Sequence, residues 1–175
     1  MTAAPVARAD VPHGDIAREL VAELTRRHLT IAVAESLTGG LLVAELVRVP
    51  GASAVLNGGL VAYNTELKHT LLGVDASVLS AHGPVHPDVA AQMAAGVRER
   101  LAVRGETASV GISTTGVAGP GPSDGHPAGT VFVGASLGGE SHILSLSLEG
   151  SRDEIRSAVV SESLAWLKTL VFALV

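Results

Sequence analysis

The positions of apolar residues divide the chain into alternating strand-like and helix-like segments. An apolar, partly β-branched run at 31–34 stops at a polar pair, and Gly39-Gly40 then opens a second apolar run at 41–47. This order predicts a buried strand, a tight turn and the beginning of a helix. Apolar residues recur with helical spacing over 15–28, which predicts an amphipathic helix with a charged outer face.

The same patterns predict further elements downstream, bounded by glycine, proline and capping residues. Predicted helices occupy 39–49, 64–72, 75–81, 87–103 and 152–170. Predicted strands occupy 55–63 and 107–113, and a hairpin joins 129–137 to 142–148. Early alternation of strands and helices with a late hairpin is typical of a single three-layer α/β/α domain with a mixed sheet.

Composition narrows the classes of protein that remain. The 175 residues are 47% hydrophobic but only 2% aromatic, so the core is built from Ala, Val and Leu. A net charge of −5 and few aromatic rings argue against nucleic-acid binding. The absence of cysteine excludes disulfides, thiolate metal sites and a cysteine nucleophile.

The ends of the chain give expectations about its location. No apolar stretch reaches the length of a membrane span without a glycine, a proline or a charge, so no membrane partner is expected. Residues 1–14 lack the apolar core of a signal peptide. We therefore predict a short flexible tail at 1–14 and one domain over 15–175, in a cytoplasmic protein.

Polar residues at the ends of apolar segments are the candidates for chemistry, because ligands of α/β sheets collect at strand ends. Ser36 lies where a nucleophile would be presented, directly after Glu35. Thr38, Gly39 and Gly40 open the next helix and could cradle a phosphate or an oxyanion. The competing interpretation is that Ser36 or Thr38 simply caps that helix.

A serine without a histidine partner needs another base. Lys68 can serve if burial lowers its pKa, and Tyr63 could hydrogen-bond either Lys68 or Ser36. The alternatives are a surface lysine and an amphipathic core tyrosine with its hydroxyl at the rim. Gly59 interrupts a predicted strand, which marks a bulge or a close backbone approach to a ligand.

A zinc site of the helical type is not predicted. His82 and His86 are four positions apart, but Gly83-Pro84 between them prevents the helical presentation that such a pair needs. The remaining histidines are scattered along the chain and form no visible triad.

Several motifs, in order, resemble the C-terminal domain of the CinA family. They read AESLTGG, GASAVLNGGLVAYNTELK, LLGV, TTGVAGPGP, PAGTV and GSRDEIR. The resemblance covers about 16–170, nearly the whole chain. That family is named for competence- and damage-inducible proteins, and its stand-alone members are nicotinamide-nucleotide amidohydrolases. Since 175 residues leave no room for the N-terminal domain of longer members, we expect the stand-alone amidase form.

The resemblance implies hydrolysis of nicotinamide mononucleotide to nicotinate mononucleotide and ammonia. It implies Ser36 as the nucleophile, with Tyr63 and Lys68 as its partners; either could take the serine proton. No metal or organic cofactor is implied, and a homodimer or higher homo-oligomer is. The candidate substrate-binding residues are Glu35, Thr38, Gly39, Gly40, Gly59, Thr115 and Arg152.

Two other functions remain open from sequence alone. One is a non-catalytic nucleotide-binding or assembly domain of the same fold, and the other is an amidase of another small substrate. His86 replaces a serine that the family commonly carries, and the loop at 119–127 is shorter and richer in proline than is typical. If either contacts the substrate, specificity would differ from that of the family.

Overall fold

A computed structural model of the protein describes residues 15–174, so the tail predicted at 1–14 lies outside the described part. The helices are α1 (Ile16–Arg26), α2 (Leu41–Val47), α3 (Thr65–Thr70), α4 (Ala76–His82), α5 (Pro87–Arg100) and α6 (Arg152–Ala173). The strands are β1 (Ile31–Glu35), β2 (Leu56–Val61), β3 (Val110–Gly116), β4 (Thr130–Leu137) and β5 (Glu140–Ser147). Within residues 15–174, no helix is long and apolar enough to cross a membrane.

The five strands form one mixed sheet in the order β2-β1-β3-β4-β5. β1 pairs in parallel with β2 on one side and with β3 on the other. β4 and β5 continue the sheet in antiparallel pairing. The parallel half brings the carboxyl ends of three strands to one edge, which is where α/β folds bind ligands.

Helices cover both faces of the sheet. Alternate side chains of β1 point to opposite faces: Ile31 and Val33 join a core with α1, α2 and α6, whereas Ala32 and Ala34 join a core with Met93 of α5. All five residues of β1 are buried, as expected of a strand covered on both sides. The predicted three-layer α/β/α architecture with a mixed sheet is confirmed.

α5 packs directly onto the backbone of the sheet. A Cβ at Gly111 would lie 2.0 Å from the carbonyl oxygen of Ala94, and one at Gly134 would lie 2.2 Å from that of Ala90. Only glycine fits at such distances. This close approach is how a chain with few aromatic residues fills its core.

The third strand starts and ends about three residues later than its predicted range of 107–113. β3 runs to Gly116 because it pairs with β4 along its whole length, from Val110 with Leu137 to Gly116 with Val131. The polar residues Thr114 and Thr115 are therefore strand residues, although sequence analysis placed them beyond the strand. Backbone pairing with a distant segment decides this boundary.

Candidate active site

A cleft of about 280 Å³ opens at the carboxyl edge of the parallel strands. Ser36 follows β1, Tyr63 follows β2, and Thr115 lies near the end of β3, so this edge brings them together. The residues that line the cleft are Ser36, Leu37, Tyr63, Thr65, Lys68, Pro84, Val85, 115–124 and Arg152. The structure thus brings Ser36, Tyr63 and Lys68 to one pocket, as the partnership implied by the resemblance requires.

The centre of the cleft is a buried lysine–serine pair. Lys68 projects from α3 with only 1% of its surface exposed, so the surface-lysine interpretation is wrong. Its Nζ donates to Ser36 Oγ at 3.1 Å and to the carbonyl oxygen of Ala62 at 2.8 Å. The short helix is held in place by Asn64, whose side chain accepts the N–H of Glu66.

Burial alters the protonation of this lysine. Removal from water lowers the pKa of Lys68 from 10.5 to about 8, and the negative charge of Asp124 opposes this by raising the pKa. With a pKa of about 8, about a tenth of the molecules carry a neutral amine at pH 7. A neutral amine 3.1 Å from a hydroxyl can accept its proton.

The turn that carries the serine is fixed on the sheet side by β3. The N–H of Ser36 donates to the carbonyl oxygen of Thr114 at 3.0 Å, and the N–H of Gly39 closes the turn onto the carbonyl oxygen of Ser36 at 3.1 Å. Leu37 lines the cleft, and its N–H has no hydrogen-bond partner within residues 15–174. That N–H is a candidate donor to an oxyanion formed beside Ser36.

The carboxylate of Glu35 binds the N-terminus of α2 rather than a ligand. It is 1% exposed and accepts the N–H groups of Gly40, Leu42 and Val43 at 2.9, 3.1 and 2.8 Å. Helix N-termini attract anions, and here the chain supplies its own. This corrects two expectations. The cap is neither Ser36 nor Thr38, and the N–H of Gly40 is not free to hold a phosphate.

Three other candidate substrate-binding residues lie outside the cleft lining. Thr38 is fully buried, and its hydroxyl pairs with that of Thr114 at 2.8 Å. Gly39 has a positive φ of 60° and lies beside the guanidinium of Arg156. A Cβ at Gly59 would lie 2.4 Å from Cγ2 of Val43. The close approach predicted at Gly59 is therefore made to α2, not to a ligand.

The remaining candidate residues line the cleft, but the tyrosine makes a different contact from the one expected. Tyr63 is 60% exposed, and its hydroxyl accepts a hydrogen bond from Nη2 of Arg152 at 3.0 Å. The expected hydrogen bond of Tyr63 to Lys68 or Ser36 is not the one formed. Arg152 also donates to the carbonyl oxygen of Gly119 at 2.7 Å, and the Thr115 hydroxyl donates to that of Pro84 at 2.6 Å.

His86 has a structural contact that a serine would also make. Its Nδ1 accepts the N–H of Asp88 and so caps α5, and its ring stacks on His82 with centroids 4.2 Å apart. It does not line the cleft, whereas 119–124 of the proline-rich loop do. Among the described residues, no cluster of three or more His, Asp or Glu side chains is placed to hold a metal ion.

Two charged residues near the cleft are not among the candidate residues predicted from the sequence. Asp124 lies in the loop at 119–127 and faces the same cleft as Lys68. Arg156 contacts the turn after Ser36 from α6. Arg156 closes the GSRDEIR motif, which is the one sequence signal that could have drawn attention to it. Asp124 follows no pattern that distinguishes it from a surface loop carboxylate.

Comparison with known proteins gives the family. The family model described as the CinA C-terminal domain matches residues 13–171. A CinA-like protein of Frankia casuarinae is 45% identical over 151 residues, which is 86% of this chain and 34% of that protein. The chain thus spans about a third of the length of the curated relatives it matches.

Solved structures give the same result at the level of the fold. A competence-damaged protein (CinA) superfamily protein from Enterobacter cloacae is 28% identical with a TM-score of 0.85, covering 98% of this chain and 99% of that one. The competence/damage inducible protein CihA from Agrobacterium tumefaciens is 33% identical with a TM-score of 0.83, covering 93% and 99%. On sequence and fold together, the chain belongs to the family of CinA C-terminal domains.

Proposed function

We propose that this protein is an amidohydrolase that converts nicotinamide mononucleotide to nicotinate mononucleotide and ammonia, with Ser36 as nucleophile and Lys68 as base. The observation that carries the proposal is the 3.1 Å contact between Lys68 Nζ and Ser36 Oγ inside a cleft. Burial of a charged amine costs free energy. A domain that only binds a nucleotide has no need of a buried lysine held against a serine, so the arrangement favours a catalytic role. The choice of substrate comes from the sequence resemblance.

Lys68 is a better base than Tyr63 because of where the two lie. The amine contacts the serine hydroxyl and has a pKa of about 8, whereas the tyrosine hydroxyl is bound to Arg152 at the rim. Catalytic bases need both reach and a pKa near the working pH. Tyr63 and Arg152 are better placed to bind the polar part of a substrate.

The proposed reaction has two halves. Neutral Lys68 takes the Ser36 proton while Oγ attacks the carboxamide carbon, and the N–H of Leu37 donates to the oxyanion. The carbon–nitrogen bond then breaks, and Lys68 delivers its proton to the departing ammonia. In the second half Lys68 takes a proton from water, which attacks the ester. Lys68 then returns that proton to Ser36 Oγ as the acyl–oxygen bond breaks, and the released carboxylic acid loses its own proton to water.

The charges around the cleft suit a zwitterionic nucleotide. Arg152 supplies a cation at the rim, and Asp124 supplies an anion from the loop. Nicotinamide mononucleotide carries a phosphate and a cationic ring, so each charge has a potential partner. A guanidinium suits a phosphate because its planar fork matches two oxygens.

The test is ammonia release from nicotinamide mononucleotide, with the acid product identified by chromatography. We expect turnover by the wild type and a loss of about 10³-fold or more in Ser36→Ala. The variant should retain the circular dichroism spectrum and melting temperature of the wild type, since the side chain is small. Free nicotinamide and nicotinamide riboside serve as comparison substrates.

Two results would contradict the proposal in different ways. Activity of Ser36→Ala within about tenfold of the wild type, a barrier change of only about 1.4 kcal/mol, would mean another nucleophile. Saturable binding of the nucleotide by the wild type without any ammonia release would favour the non-catalytic binding domain.

A further inference from the structure

Arg156 reaches from α6 to the turn that carries the proposed nucleophile. Its Nε donates to the carbonyl oxygen of Leu37 at 3.0 Å, and its Nη2 donates to that of Thr38 at 3.0 Å. Only 23% of its side chain is exposed, and Asp153 lies 3.4 Å from Nη1. A part-buried guanidinium that holds two consecutive carbonyls is a specific arrangement rather than a surface contact.

These two carbonyls belong to the two residues directly after Ser36. The turn is held on its other side by β3, through the N–H of Ser36 and the carbonyl of Thr114. Among residues 15–174, the turn is also held by its own Gly39 and Leu41 N–H groups, by the Glu35 carboxylate on the Gly40 N–H and by the pair of hydroxyls of Thr38 and Thr114. A planar fork with two donors fixes orientation as well as distance, which a single ammonium cannot do.

The guanidinium also lies beside the glycine of the same turn. Gly39 adopts φ of 60°, and a Cβ there would lie 3.4 Å from Nη2 of Arg156. The positive φ is what favours glycine here, and the guanidinium lies within ordinary contact distance of the position that a Cβ would take. The glycine and the arginine therefore fit together around the turn.

We infer that Arg156 is a positioning residue for the Ser36 nucleophile, acting through the Leu37 and Thr38 carbonyls that it binds. The inference rests on the proposed function in one respect, namely that Ser36 is the nucleophile. Misplacement of a reacting group by about 1 Å costs about 10²-fold in rate. Oγ must keep its contact with Lys68 and its approach to the substrate. A turn that is not held in position would therefore slow acylation.

The alternative is that Arg156 only docks α6 onto the sheet, and a matched control can separate the two roles. Arg98 is also part-buried, with Nε bonded to the carbonyl oxygen of Ala108 at 2.7 Å and Nη1 to Ser136 Oγ at 3.0 Å. It lies on α5, on the opposite face of the sheet, and does not line the cleft. Loss of Arg98 should lower stability without touching the serine turn.

The test measures how fast a fluorophosphonate probe labels Ser36, by intact mass and peptide mapping. This probe reports on the nucleophile whatever the natural substrate is. We compare wild type, Ser36→Ala, Arg156→Met, Arg156→Lys and Arg98→Met, each with its melting temperature. We expect labelling to fall about 10²-fold in Arg156→Met and at least tenfold in Arg156→Lys. Arg98→Met should label within threefold of the wild type, about the noise of such a rate.

Each of the other possible outcomes counts against the inference. Wild-type labelling rates in Arg156→Lys or Arg156→Met would overturn the inference and leave the nucleophile intact. Equal slowing in Arg98→Met would also overturn it, by showing that general loss of packing is enough. A wild type that is not labelled at Ser36 would reject the nucleophile, and with it the positioning role. If Arg156→Met does not fold, Arg156→Lys alone decides.

Discussion

Lys68 Nζ lies 3.1 Å from Ser36 Oγ, although 32 residues separate them in the chain. The lysine is held there by α3 and by the carbonyl oxygen of Ala62, and the serine by the end of β1. Both side chains are buried, so the amine is forced toward its neutral form where it can act on the hydroxyl.

The pH dependence of activity should follow this amine. Because the neutral form is the base, kcat/KM should rise with pH through an apparent pKa of about 8, well below the free-lysine value of 10.5. The value belongs to the coupled lysine–serine cluster. Measurement of kcat/KM between pH 6 and 10 checks this.

Lys68→Arg tests the same base by another route. A guanidinium stays protonated and cannot accept the serine proton, so the variant should be nearly inactive at every pH. Lys68→Ala should be equally poor. Substantial turnover by Lys68→Arg with an unchanged pH profile would show that the lysine contributes only charge, and Tyr63 would then be the better candidate.

Asp124 should tune the pKa of Lys68. Its negative charge raises that pKa against the larger effect of burial, so Asp124→Asn should move the rising limb of the pH profile to lower pH. The shift should be small, because Asp124 is exposed and its charge is screened by salt. Glu106→Gln, which removes an exposed carboxylate outside the cleft lining, should leave the profile unmoved. A shift of Asp124→Asn to higher pH would contradict the assignment.

Burial of Lys68 should also lower the free energy of unfolding of the protein. Its pKa is lowered on folding, so the unfolded chain binds more protons between about pH 8 and 10.5, and wild-type stability should rise with pH across that window. Lys68→Met avoids burying the charge and should be more stable than the wild type by about 1–3 kcal/mol at pH 7. The advantage should shrink towards pH 10.5, as urea unfolding at several pH values would show. A variant less stable than the wild type at pH 7 would mean that burial of this amine is not costly.

Gly59 should be required by the packing of α2 on β2. Gly59→Ala places a methyl group 2.4 Å from Cγ2 of Val43 and should destabilise the protein by about 1–3 kcal/mol. Val43→Ala removes that obstacle, so the double variant should lose less stability than the sum of the two single changes. Strict additivity in denaturant unfolding would show that the two residues do not oppose each other.

Much of the fold could be predicted because the relevant signals are local. Helical spacing and glycine or proline stops place α1, α5 and α6, and the β-branched run places β1. The boundary of β3 could not be predicted, since it depends on pairing with β4 far along the chain. The cap of α2 also differs from the one that the sequence predicts. Ser36 and Thr38 have the usual capping chemistry, but a buried Glu35 reaches the same N–H groups from the strand.

The local patterns and motifs of the chain are enough to predict the fold class, the family and the three polar side chains that line one cleft. The tertiary structure set how these side chains are arranged. It buried Lys68 against Ser36, left Tyr63 at the rim on Arg152, and set Arg156 on the serine turn. Sequence patterns report which residues are apolar and where local elements begin. The pKa of a lysine and the partner of a guanidinium depend instead on groups that folding brings within a few ångströms from distant parts of the chain.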